Sequence, residues 1–91
     1  MKILRTITER CGLHGESIPG NVLIEIHGED RVLIENHRCV SSYSDSEVTV
    51  LVRFGAVQIV GSGLVITSLQ SDRLIIRGCI QSVSLQKGGS L

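Results

Sequence analysis

The sequence predicts a mostly-β fold, an antiparallel meander or β-roll of about seven short strands with a short N-terminal helix. Three observations carry that expectation. From Asn21 onwards, apolar residues recur with a period of two, the signature of half-buried strands. Clusters of Gly, Asp and Ser break the alternation at short intervals, as tight turns require. The apolar residues are almost all Val, Ile and Leu, and Tyr43 and Phe54 are the only aromatics. Branched aliphatic side chains without large rings suit a pleated packing surface.

The elements follow in chain order, and the 91 residues read as one small domain spanning 1–91. Residues 2–13 carry the only helical pattern: Ile3, Leu4, Ile7 and Cys11 fall on one side, and Lys2, Arg5, Glu9 and Arg10 cover most of the rest. Gly12 stops that helix, and Gly15, Pro19 and Gly20 keep the next stretch irregular. Strands then occupy 21–85. Val22, Ile24 and Ile26 alternate with Leu23, Glu25 and His27, and 22–27 returns as 31–36 around Gly28-Glu29-Asp30. Val48, Val50, Val52 and Phe54 form the next alternating set. A second hairpin is expected from 56–60 to 64–68 around Gly61-Ser62-Gly63, because glycines take the positive φ of a tight turn. Either register of that turn sets Val57 and Ile59 on one face with Leu64 and Ile66. Leu74 and Ile76 follow, then Ile80, then Val83 and Leu85 opposite Ser82 and Ser84. Residues 86–91 read as a flexible tail.

The second face of these strands would be polar in a simple half-solvated sheet. Instead each strand places one large apolar residue there: Leu23, Leu33, Leu51, Val60, Val65 and Ile75. Glu25, Glu35, Arg53, Gln58 and Arg77 surround them. An apolar stripe with a charged rim predicts an interaction surface, covered by a partner or by another copy of the chain. The first strand (22–26) and the last (81–85) are the expected free edges, open to β-addition.

Charge and composition exclude several classes. Nine basic and nine acidic residues give a formal net charge of zero, with no run of like charge. Duplex binders need clustered Lys and Arg, and single-strand binders need exposed aromatics, so no nucleic-acid partner is expected. A near-neutral, apolar chain has little electrostatic protection against self-association, which predicts a homo-oligomer. Cys11, Cys39 and Cys79 are odd in number and widely spaced, neither a disulfide framework nor a zinc ribbon. Lys2 is not followed by an apolar run long enough for a signal peptide, and no window reaches the roughly 20 apolar residues of a membrane span. The expectation is an intracellular protein with reduced thiols, Cys39 being the most exposed of the three.

Residues that could carry chemistry form no motif. His27 and His37 end neighbouring strands with Cys39 nearby, but no ligand spacing of a metal site accompanies them, and solvated turn and edge residues are the expected reading. Glu25 and Glu35 could face each other as paired carboxylates do, yet exposed charges beside apolar cross-strand neighbours are commoner in sheets. Ser41, Ser42, Ser44 and Ser46 lack a nucleophile elbow and read as loop hydrogen-bonders. The glycines of 55–63 lack the strand and helix that frame a phosphate loop. No catalytic residue, metal, cofactor or small-molecule substrate is predicted, and the chain reads as a non-enzyme.

One block of residues carries a family resemblance. The run Val32-Leu33-Ile34-Glu35-Asn36-His37-Arg38, continuing through Cys39-Val40-Ser41-Ser42-Tyr43-Ser44-Asp45-Ser46-Glu47-Val48, is similar to the I-E-N-H-R block and following loop of the YabP/YqfC family of bacterial sporulation proteins. Gly61-Ser62-Gly63-Leu64-Val65-Ile66 resembles that family's G-x-x-L-x-I, and Leu74-Ile75-Ile76-Arg77-Gly78-Cys79-Ile80 its L-x-I-x-G-x-I. Ile18-Pro19-Gly20-Asn21-Val22 resembles the L-P-G-D-V entry into the first strand, with Ile and Asn substituted. The likeness covers nearly the whole chain and is closer to the YqfC branch.

The resemblance implies a non-enzymatic structural or interaction role in spore-envelope assembly. It also implies a membrane-protein partner of the YqfD kind, and a location in the mother-cell cytoplasm or peripherally at the forespore membrane. Asn36, His37 and Arg38 become candidate interaction residues, beside the reading of a turn in which Asn and His tolerate positive φ and Arg38 binds loop carbonyls. Two alternatives stand beside this one: a peripheral membrane-surface adaptor using the N-terminal amphipathic helix, and a small metal-binding protein.

Overall fold

A computed structural model describes residues 21–87. They form six strands: β1 (Leu23–His27), β2 (Arg31–Glu35), β3 (Cys39–Tyr43), β4 (Glu47–Val52), β5 (Gly55–Leu69) and β6 (Arg73–Lys87). All pair antiparallel in one sheet of order β1-β2-β6-β5-β4-β3. The expected helix over 2–13 lies outside the described residues.

The first predicted hairpin is present, with Ile24 opposite Ile34 and Ile26 opposite Val32. The second is not. Residues 55–69 run as one continuous strand through Gly61-Ser62-Gly63, and so do 73–87 through Gly78. The merging leaves six strands among the described residues, and β6 continues to Lys87, past the expected end at Leu85. The glycines serve bulges rather than a turn. The β5–β6 register shifts between Val60 and Gly61 and again between Ser62 and Val65. Gly63 takes the left-handed φ of +61° that such bulges use. The first shift places its extra residue on β6 and the second on β5, so each strand reverses its inward parity once, and Val57 and Ile59 share the interior with Leu64 and Ile66 just as a turn would have arranged.

These bulges coil the sheet into a β-roll of two four-strand layers. The first layer holds β1, β2, the early part of β6 (73–77) and the late part of β5 (65–69). The second holds β3, β4, the early part of β5 (55–60) and the late part of β6 (82–87). The bends are held alike on both sides. Gly78 and Ile80 N–H donate to the carbonyls of Asp30 (3.2 Å) and Glu29 (2.8 Å) in the β1–β2 turn. Gly61 and Leu64 N–H donate to those of Ser46 (3.0 Å) and Asp45 (2.9 Å) in the β3–β4 turn. The backbones approach so closely here that a Cβ on Gly61 would overlap the Cys79 carbonyl, and one on Gly78 would lie 2.7 Å from the Gly63 oxygen.

The inward faces share a single core. Val32, Ile34, Leu74 and Ile76 from the first layer pack with Val40, Val48, Val50, Val52, Val57 and Ile59 from the second. Leu64, at the bend, joins both. Burying a side chain of this size contributes about 1.5–3 kcal/mol.

Candidate functional site

The outer face of the first layer is set by the register of three strands. Leu33 lies directly opposite Ile75, and this apolar pair is the centre of the face. Leu23 and Val65 flank it diagonally, on β1 and β5, and both are exposed. The charged groups around the centre are unevenly matched. Arg73 pairs with Glu35 at 2.9 Å, and His27 with Glu25 at 3.1 Å. Glu25 and Glu35 therefore do not face each other: each lies opposite a leucine, Leu33 and Leu23 respectively.

Arg31 lies directly opposite Arg77, with His27 opposite Arg31 on the other side. Like charges in directly opposed positions destabilise a sheet. Neither arginine makes an ion pair among the described residues. The face thus combines an apolar centre, about the width of two strands, with two uncompensated guanidinium groups beside it. That combination suits an apolar partner surface carrying carboxylate or phosphate groups. Arg77 is legible in the sequence as part of the charged rim. Arg31 is missed, because only the β2–β6 register sets it against Arg77.

Four of the six stripe residues, Leu23, Leu33, Val65 and Ile75, are brought together. Leu51 and Val60 are not: they lie on the outer face of the second layer, two rows apart and each half-buried. The surroundings there are Thr49, Gln58, Ser82 and Ser84, and Gln58 donates a hydrogen bond to Glu47.

Asn36, His37 and Arg38 form the crossover from β2 to β3, which carries the chain from one layer to the other. Asn36 adopts a φ of +66°, the positive value expected of a turn residue. Its N–H donates to the Asp72 carbonyl and its Nδ2 to the Asn21 carbonyl, both at 2.6 Å. Arg38 N–H donates to the Leu51 carbonyl at 2.8 Å. The solvated reading of the histidines is corrected at His37, which is only 2% exposed, in a crossover that is hydrogen-bonded to Asp72 through the Asn36 N–H. Its Nδ1 has no hydrogen-bond partner among the described residues. Burial lowers the His37 pKa below the ordinary 6.5, and the charge of Asp72 works in the opposite direction. His27 remains exposed at the end of β1.

The cysteine expectations are corrected as well. Cys39 is buried, facing Leu51 across β3 and β4, and is disulfide-bonded rather than reduced. Cys79, at the bend of β6, is the free and exposed thiol. Among the described residues no group of three or more His, Cys, Asp or Glu side chains could hold a metal ion. No described helix is long and apolar enough to cross a membrane.

The model of the YabP family matches residues 20–91, which include every strand of the roll. The chain belongs to the YabP family. No curated protein and no solved structure matches it. Membership of the YabP family is consistent with a sporulation-associated role. Within the YabP family match, Asn36-His37-Arg38 is the inter-layer crossover, and the glycines of 61–63 and 78 are the bends.

Proposed function

We propose that this chain is a non-enzymatic interaction module of spore-envelope assembly, which docks a membrane-protein partner of the YqfD kind through the outer face of its first layer. The observation that carries the reading is the Leu33–Ile75 centre beside the opposed Arg31 and Arg77. A sheet tolerates two facing arginines without a counter-charge where a partner supplies one. Membership of the YabP family supports a sporulation-associated role. The working place of the protein is then the mother-cell side of the forespore membrane.

The test is localisation of a fluorescent fusion in sporulating cells. The native chain should form a ring around the forespore, and the ring should vanish when the partner membrane protein is deleted. The variant Leu33→Glu, which places a carboxylate at the centre of the face, should be diffuse while remaining folded. Diffuse signal from the native chain, or a ring that persists in the Leu33→Glu variant, would rule the reading out.

A further inference from the structure

The roll has four free edges among the described residues, and they are not protected equally. β1 pairs only with β2, β3 only with β4, the 65–69 part of β5 only with β6, and the 82–87 part of β6 only with β5. Free edges in monomeric proteins are normally blunted by charges, bulges or proline. β1 carries Glu25 and His27. β3 is broken by a register shift between Val40 and Ser42, and 65–69 by one between Ile66 and Ser68. The 82–87 edge has none of these. Its register runs unbroken from Val60 opposite Ser82 to Gly55 opposite Lys87. Its sequence Ser82-Val83-Ser84-Leu85-Gln86 has no charge and no proline, and Lys87 stands only at its end. Leu85 is 57% exposed, the highest value among the exposed large hydrophobics.

We infer that this edge pairs with the same edge of a second copy, antiparallel about a two-fold axis, joining two second layers into one eight-stranded sheet. The strand is compatible with itself in that arrangement. With Ser84 opposite Ser84, Val83 of each copy meets Leu85 of the other on the inward face. Ser82 meets Gln86 on the outward face, and Lys87 falls opposite the uncharged Gln81. No like charges are brought together, and each exposed Leu85 gains an apolar neighbour. A two-fold pairing of this kind closes, because each edge is consumed once. The docking face of the first layer is not used, so this inference stands independently of the function proposed above.

The test is the mass of the full-length chain by sedimentation over a micromolar dilution series, with amide hydrogen exchange of 81–87 measured alongside. The native chain should reach twice its 9.9 kDa mass and show slower exchange at 81–87 as concentration rises. Ser84→Lys and Ser84→Glu each bring like charges together across the two-fold, and should weaken self-association on the order of tenfold or more. Mixing the two variants should restore the doubled mass. Leu33→Glu should leave it unchanged. A native chain that stays monomeric, a dimer unaffected by either Ser84 variant, or a dimer with no protection at 81–87 would each overturn the inference.

Discussion

The two layers of this roll are built alike and present very different outsides. In each, a short hairpin lies along one arm of the long β5–β6 hairpin, and the hairpin's turn accepts two backbone hydrogen bonds from the bend of that arm. Their inward faces are both branched aliphatic, richer in Ile and Leu in the first layer and almost all Val in the second. The outward faces diverge. The first layer shows an adjacent Leu33 and Ile75 among Arg31, Glu35, Arg73 and Arg77, whereas the second shows Leu51 and Val60 set two rows apart among Glu47, Thr49, Gln58, Ser82 and Ser84. The core therefore explains why the chain folds, and says little about what the protein meets. The two layers differ chiefly in their outward faces and in how their edges are guarded among the described residues.

The comparison is tested most severely by opening a cavity in each layer in turn. Ile34 and Ile59 are both fully buried, one on each side of the shared core. Ile34→Ala and Ile59→Ala should each cost about 2–5 kcal/mol, read from the urea midpoint with an unchanged slope. Equal losses in single transitions would show one cooperative unit. Two separate transitions would show that the layers fold independently.

A smaller effect probes the crossover that joins the layers. The His37 pKa is held below its unfolded value, so the unfolded chain binds the proton more readily. Above the unfolded value of 6.5 both states are neutral at this position and His37 contributes no slope. As pH falls below 6.5, stability should decline, and the decline from this residue should end once the folded pKa is passed. Thermal unfolding followed from neutral to mildly acidic pH should show that fall in the native chain and a flatter profile in His37→Gln. Identical profiles would show that the crossover histidine does not report on the junction.

The smallest effect separates the two outward faces. Arg31→Thr removes one of two opposed like charges, and should stabilise the isolated chain by about 0.2–1 kcal/mol at low salt. The gain should shrink as salt is added. Arg73→Thr removes a half-exposed ion pair with Glu35 instead, and should be neutral or slightly destabilising. Thermal melts of the two variants side by side at low and high salt would check the contrast. Loss of stability in Arg31→Thr would mean that the Arg31–Arg77 row is structural rather than held open for a partner.

Much of the architecture is legible in the chain itself. The alternation of Val32 and Ile34, of Val48, Val50 and Val52, and of Leu74 and Ile76 assigns their inward faces directly, because a strand reverses side at every residue. The β1–β2 hairpin is equally plain, since turn and strands are contiguous. Gly61-Ser62-Gly63 misleads for a specific reason. A tight turn and a bulge draw on the same glycine conformations, and both reset which parity is buried. Local pattern cannot tell a chain that reverses there from one that bends and continues. The candidate site suffers similarly: its apolar members are readable as second-face residues, but their division between two layers depends on that bend.

The sequence by itself thus determined the β class, most of the aliphatic core, the first hairpin and the family, since each is written in neighbouring positions. Only the tertiary structure decided that Arg31 faces Arg77, that His37 and Cys39 are buried, and that 82–87 is an unguarded edge. Those facts depend on register between strands far apart in the chain. Register is set by where the bulges fall and how the two layers close over one core, and no single segment encodes it.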